Sequence, residues 1–324
     1  MTAPLLSAKD LYSKVAHVIP QVEWATMADD IEAIIRLKAE RNAVILAHNY
    51  MAPEIFHGVS DITGDSLALA RKAAEVEADV IVLAGVHFMA ETAKLLNPSK
   101  MVLIPDLLAG CSLAESITAE DVRALRAAHP GVPVVTYVNT SVAVKAESDI
   151  CCTSGNAERV VKSLGVDEVI LIPDQYLAAN ISNRTSVKAI THPGACEVHE
   201  RFTPADIRAI REDYEDATVI VHPECPPDVV AEADYAGSTA DMVNYVAKNH
   251  PKDVALITEC SMSDNVAQLF PDVHFIRPCN LCPHMKRNTL ATIRRCLETM
   301  AFEVTIDPAI AQRARLAVDK MLSV

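Results

Sequence analysis

The sequence predicts an α/β fold made of three similar αβα domains, with short parallel sheets arranged around a pseudo-threefold axis. Three observations carry this. Short, near-continuous apolar runs alternate with helical patterns, the mark of parallel strands covered on both faces. The alternation recurs three times at nearly constant spacing. A cysteine closes each recurrence.

The opening strands are Val44-Ile-Leu-Ala-His48-Asn49, Val134-Val-Thr-Tyr137-Val-Asn139 and Val219-Ile-Val-His222-Pro-Glu224; they start 90 and 85 residues apart. A helical segment precedes each, and threonines at 26, 118 and 203 stand as candidate N-caps, because a hydroxyl can accept from an orphan backbone N–H. A turn with glycine and small polar residues follows each strand: Gly64-Asp65-Ser66, Ser154-Gly155-Asn156 and Gly237-Ser238-Thr239. Second apolar runs begin at Val80, Val169 and Val254, and third runs at Val102, Ala189 and Val273. Cys111, Cys196 and Cys282 come next, 85 and 86 residues apart. Each block therefore reads helix–β–α–β–α–β. The expected domains are 20–116, 117–201 and 202–286, with 287–324 forming C-terminal helices that pack back on the first repeat. Thr289, 86 residues after Thr203, opens what would be a fourth leading helix.

Composition narrows the function. The 324 residues carry 29 Lys+Arg against 43 Asp+Glu, a net charge of −14, which disfavours nucleic-acid binding because phosphate contacts need clustered basic residues. No apolar run approaches the ~18–20 residues of a membrane span. Met1–Leu5 shows no basic n-region before an apolar core, so no signal peptide and a cytoplasmic location are expected. Nine cysteines in such a compartment point to core residues, metal ligands or catalytic groups rather than disulfides.

Ligands bind outside the carboxyl ends of parallel strands. Threefold symmetry would gather His48, Asn49, Tyr50, Ser66, Tyr137, Asn139, Ser154, His222, Glu224, Ser238, Thr239 and the three cysteines around one cavity. Three converging thiolates suit Zn²⁺ or an iron–sulfur cluster; holding a [4Fe–4S] cluster by three would leave one iron open as a Lewis acid. The hydroxyls at helix starts suit carboxylate or phosphate, and plain N-capping can coexist with that role. Glu224 beside His222 is a candidate acid–base pair, and Tyr50 and Tyr137 could move protons or orient a substrate. His87 follows the second strand and could lie near the cavity, whereas His192, His199 and His274 read as structural. Cys279-Asn-Leu-Cys282 is a CxxC without thioredoxin-like context. Cys151, Cys152, Cys225, Cys260 and Cys296 read as packing residues.

The segments Ala47-His-Asn-Tyr50, Gly64-Asp-Ser66, Pro105-Asp-Leu-Leu-Ala-Gly-Cys-Ser-Leu-Ala114, Tyr137-Val-Asn-Thr140, His222-Pro-Glu-Cys225, Gly237-Ser-Thr239 and Cys282-Pro-His-Met285 resemble the quinolinate synthase family, from about residue 40 to 320. The resemblance implies a transferase that condenses iminosuccinate with dihydroxyacetone phosphate. Phosphate and two waters leave, and quinolinate, a precursor of NAD, is formed. It implies one [4Fe–4S] cluster per chain, held by Cys111, Cys196 and Cys282, whose open iron assists dehydration. His48, Ser66, Tyr137, Asn139, Ser154, His222, Glu224, Ser238 and Thr239 map onto the family's substrate site. Glu224, Tyr50, Tyr137 and His48 map onto catalytic positions, and Met285 onto a place near the cluster. Some members carry CxxCxxC here; Ile276 replaces the first cysteine and leaves Cys279 and Cys282, so a regulatory disulfide from Cys279 would compete with the cluster for Cys282. Transient contact with the enzyme that makes iminosuccinate is a possible partnership; nucleic acid and membrane are not expected. Two other readings are an iron–sulfur hydro-lyase for a small dicarboxylate, which would need no second phosphorylated substrate, and a thiol or metal sensor built on Cys279 and Cys282.

Overall fold

The computed structural model describes residues 6–324. Residues 1–5, on which the expectation of no signal peptide rests, lie outside the described residues. Among the described residues there are three four-stranded parallel sheets of identical order. The first is β2-β1-β3-β4, from β1 (Ala43–His48), β2 (Ile62–Gly64), β3 (Val80–Ala84) and β4 (Met101–Leu103). The second is β6-β5-β7-β8, from β5 (Val134–Tyr137), β6 (Ile150–Cys152), β7 (Glu168–Ile172) and β8 (Lys188–Ile190). The third is β10-β9-β11-β12, from β9 (Thr218–Val221), β10 (Tyr235–Ala236), β11 (Asp253–Ile257) and β12 (His274–Ile276). The repeated fold class is therefore present. The sequence reading had three strands per block and missed the edge strands β2, β6 and β10. These are two or three residues long and lead straight into the turns, so no apolar run announces them.

Repetition extends to side chains that the sequence reading passed over. The carboxylates of Asp61, Asp149 and Asp234 accept from the N–H groups of Ile45, Val134 and Val219, at 2.8, 2.7 and 2.8 Å. Each carboxylate also meets a cation on the preceding helix: Lys38 at 2.6, Arg126 at 2.8 and Arg211 at 3.1 Å. All three cations stand 23 residues before their aspartates. One carboxylate thus ties the leading helix to the first strand in every block, and aligns His48, Tyr137 and His222 as equivalent positions.

The threonine caps divide. Thr118, Thr203 and Thr289 each form a reciprocal capping box, with Asp121, Asp206 and Thr292. Thr26 is not a cap. The first leading helix runs Gln21–Arg41 behind Pro20, and Thr26 lies inside it, donating to Glu23 O at 2.7 Å. An extended Pro20 already turns the chain out of the helix, so the start needs no hydroxyl.

The chain divides into two compact units. One comprises Met1–Ala109, Cys260–Pro271 and Leu281–Thr305 and contains the first sheet. The other comprises Gly110–Glu259, Asp272–Asn280 and Ile306–Val324 and contains the second and third sheets. The third repeat is thus shared out: its helix Ser261–Ala267 belongs with the first sheet, where Asn265 bonds the loop after β1. The C-terminal helices also part. Leu290–Thr299 packs on Gln21–Arg41 of the first block, whereas Pro308–Ser323 packs on Val142–Ala146 and β6 of the second. The sequence reading had put both on the first block. Among the described residues no helix is long and apolar enough to cross a membrane.

Candidate active site and metal centre

In the second unit a chain of buried polar groups joins the ends of the second and third sheets. Tyr137 ends β5, and His222 and Glu224 follow β9. The Tyr137 hydroxyl donates to Glu224 Oε1 in a very short bond, and Glu224 Oε2 lies 2.7 Å from His199 Nδ1. His199 Nε2 lies 2.9 Å from Thr258 Oγ1, and its ring stacks on His222 at 4.5 Å between centroids. Glu224 is 3% exposed and His199 1%, so water does not screen the pair. The expected Glu224–His222 pair is present as a longer ion pair, with His199 standing closer. Glu224 pairs with His199, while His222 Nδ1 is 3.9 Å from its carboxylate and accepts instead from the Glu224 N–H. Geometry explains this: two residues apart on one strand end, a ring meets the backbone more readily than the neighbouring carboxylate.

Electrostatics separates the roles. Burial raises the Glu224 pKa, but the His199 and His222 rings and the bonds from His199 and Tyr137 outweigh it, so the carboxyl is held below the usual range. Burial, then the Glu224 charge, pushes the Tyr137 phenol up, and Ser154 beside it works the other way. Asp174, at the start of the helix Gln175–Arg184, is 1% exposed. Its Oδ1 caps that helix through Tyr176 and Leu177, while Oδ2 is buried with no hydrogen-bond partner. Burial, then the Glu224 charge, raises it well above the usual carboxylate range. The site thus holds an ionised acceptor, Glu224, beside protonated donors.

Cys111 and Cys196 belong to the same unit, and Ser112 joins their segments by donating to Ala195 O and accepting from Glu197 N, both at 3.1 Å. Gly194, two residues before Cys196, has no room for a side chain. A Cβ there would stand 2.4 Å from Ser116 Oγ and 2.6 Å from Pro173 O. Gly194→Ala is therefore expected to displace the Cys196 segment and cost at least ~1–3 kcal/mol, as overpacking does; urea unfolding, together with thiol labelling of Cys196, checks it.

The donor set suits a thiolate-bound metal group. Cys111, Cys196 and Cys282 are partly exposed, whereas Cys151, Cys152, Cys225 and Cys296 are buried. Burial pushes Cys151 and Cys296 up to about 12, as inert packing thiols. Burial, then Glu224 and Cys111, raises Cys196 as well, so its thiolate calls for a cation. Cys196, His199 and Glu224 offer donor atoms all within 4.8 Å of one another. Cys279 is disulfide-bonded, and Cys282 stands outside that disulfide. Cys260, read as a packing residue, is likewise disulfide-bonded.

The first unit holds the remaining residues. His48 ends β1, its ring 4.6 Å from Tyr50, whose N–H donates to His48 Nδ1 at 3.2 Å. His48 is in register with Gly64 on β2, and Ser66 opens the next helix just beyond, capped by Asp65. Cys282 starts the turn leading to Lys286, whose ammonium donates to Tyr50 O at 2.9 Å and Ser261 Oγ at 2.6 Å. His87 is half-exposed, 3.9 Å from Glu91. In the second unit, Asn139 keeps Oδ1 buried without a partner. Ser238 and Thr239 open the helix Thr239–Asn249, and the Ser238 hydroxyl is already engaged with Asp241 at 2.7 Å. Its Oγ lies beside Gly155, bringing the turn of Ser154 to the same place.

His199, Asp174, Thr258 and Ser112 belong to the site and were missed. A signal for His199 existed: it stands three residues after Cys196, as Met285 stands three after Cys282, and both begin short 3₁₀ turns. His192 and His274 lie 2.8 Å from Ser116 O and Asp253 Oδ1.

A family profile described as "Quinolinate synthetase A protein" matches residues 32–323. The chain is 68% identical over 318 residues to "Quinolinate synthase 2" of Mesorhizobium japonicum, covering 98% of each. It is 67% identical over 319 residues to "Quinolinate synthase" of Agrobacterium fabrum, covering 98% of this chain and 92% of that one. It is 56% identical over 316 residues to "Quinolinate synthase" of Caulobacter vibrioides, covering 96% and 86%.

Proposed function

The chain belongs to the quinolinate synthetase A family, and from this we propose that it is a quinolinate synthase: it condenses iminosuccinate with dihydroxyacetone phosphate and releases phosphate and two waters. The observation that carries the reading is the division of its thiols. Cys111, Cys196 and Cys282, the repeat-equivalent cysteines, are partly exposed, while Cys151, Cys152, Cys225 and Cys296 are buried. In this reading the three hold one [4Fe–4S] cluster. When bound, such a cluster supplies Lewis acidity at an iron with no protein ligand.

The chain's own residues supply the proton transfers. Glu224 is ionised and can take a proton at Oε2 as His199 yields the position, or at Oε1 as Tyr137 turns its hydroxyl to the substrate. Tyr137, kept protonated by burial and by Glu224, is a donor. Tyr50 and His48 form a second donor pair, with His48 Nδ1 committed to the Tyr50 N–H so that Nε2 carries the proton of the neutral ring. Asn139 offers an unpartnered amide oxygen to a ligand donor. Ser66, Ser154, Ser238, Thr239 and His222 complete the substrate set, with hydroxyls and N–H groups at helix starts suited to carboxylates and phosphate. Burial of Glu224 and Tyr137 keeps water from the proton transfers.

The test is to supply both substrates, and then each alone, to anaerobically purified protein. Quinolinate formed only with both, and phosphate released with it, supports the reading. Turnover of a dicarboxylate without the phosphorylated partner would instead support a hydro-lyase. Location in the cytoplasm and transient contact with an iminosuccinate-producing enzyme belong to the same proposal.

A further inference from the structure

The loop after the first strand of each block carries a site residue in its middle: Tyr50, Asn139 and Glu224. In all three loops the carbonyls on either side of that residue are bonded by a single buried side chain. Asn265 Nδ2 donates to Asn49 O at 2.9 Å and Met51 O at 2.8 Å. Lys145 Nζ donates to Val138 O at 2.8 Å and, in a shorter bond, to Thr140 O. Asn180 Nδ2 donates to Pro223 O and Cys225 O, both at 2.9 Å. The clamping residues are 2%, 0% and 3% exposed.

We propose that Asn265, Lys145 and Asn180 are positioning residues: each bridges two carbonyls to hold Tyr50, Asn139 or Glu224 in its working place, within the quinolinate synthase reading above. Carbonyls in a buried loop need donors. A donor that bonds both neighbours of one residue leaves that residue little freedom to rotate about its backbone. The pairs occupy equivalent places once the blocks are aligned on Ile45, Val134 and Val219, the residues tied by the repeated aspartates. The clamps are not copies of one residue. Asn180 and Asn265 sit on corresponding helices 85 residues apart, whereas Lys145 reaches its loop from the short helix Val142–Ala146. Two different side chains at three loops meet the same two-acceptor requirement, which ties the arrangement to the loops rather than to one inherited side chain.

Asn97 provides a matched control. It is buried and its Nδ2 also donates to two carbonyls, Ala73 O at 2.8 Å and Ala93 O at 3.1 Å, but it flanks no site residue. Asn180→Leu and Asn97→Leu each keep volume and remove two buried hydrogen bonds. Both should lose similar thermal stability. Only Asn180→Leu should lower kcat, by about 10- to 100-fold at folded-protein equality with smaller change in KM, as a displaced catalytic group does. Only there should hydrogen exchange of the Glu224 and Cys225 amides accelerate, by at least about tenfold on local loss of protection. Equal kcat in the two variants, or unchanged exchange at 224 and 225, would overturn the clamp. Should Asn180→Leu not fold, Asn265→Leu carries the test, read at kcat and at the Tyr50 and Met51 amides. If the wild-type chain makes no quinolinate, the functional reading fails by itself, and the exchange comparison alone decides the clamp.

Discussion

Glu224→Gln is expected to lower turnover by at least ~100-fold, the low end of what a positioned acid–base group contributes, while the fold and the cysteines stay as they are. Both carboxylate oxygens are engaged, Oε1 by the Tyr137 hydroxyl and Oε2 by His199 at 2.7 Å. A glutamine of the same shape keeps one acceptor oxygen and presents an NH₂ to the other partner, which must then turn its hydroxyl or change its ring tautomer to accept. The negative charge that, after burial, raises the Tyr137 phenol is also lost. Because Glu224 sits 3% exposed, no water replaces the missing acceptor. Steady-state assay beside metal analysis checks the result. Near-normal turnover would remove Glu224 from the proton transfers, and loss of metal in parallel would make its role structural.

The second large effect is expected at the cysteines. Alanine at Cys111, Cys196 or Cys282 should take quinolinate formation to background and cut bound iron well below the about four per chain of a [4Fe–4S] cluster. Cys225→Ala should keep both, since that thiol is buried in the core of the third sheet beside Val221 and Ile257. Iron and acid-labile sulfide on anaerobically purified protein, with the visible spectrum before and after air, decide between them. Zinc in place of iron, or full iron retention in Cys196→Ala, would reject the three-cysteine cluster. The trio Cys196, His199 and Glu224 would then be the metal site to pursue.

Repetition was legible because it is a property of the linear chain. Apolar runs, cysteines and turn glycines recur at 82- to 91-residue intervals, and burial of a parallel strand on both faces requires such runs wherever the strand falls. The same periodicity reached most of the site, because residues at strand ends are placed by their strand. His48, Tyr137, His222 and Glu224 were placed at strand ends in this way. Edge strands were not legible. Ile62–Gly64 and Tyr235–Ala236 pair through backbone groups, and a two- or three-residue pairing leaves no side-chain pattern. Thr26 misled because a threonine reads the same inside a helix as at its cap; the extended Pro20 upstream set the start.

Spacing along the chain thus determined the fold class, the equivalent cysteines and the strand-end residues, since one regular element dictates each. Partnership was decided only in three dimensions. Glu224 stands beside His222 in sequence, yet its carboxylate meets His199 and Tyr137, 25 and 87 residues away. Asn180 reads as an ordinary helix residue until its amide is seen bonding two carbonyls across the Glu224 loop. Hydrogen bonds between buried side chains depend on where separate strands and helices come together, and no local propensity records that meeting.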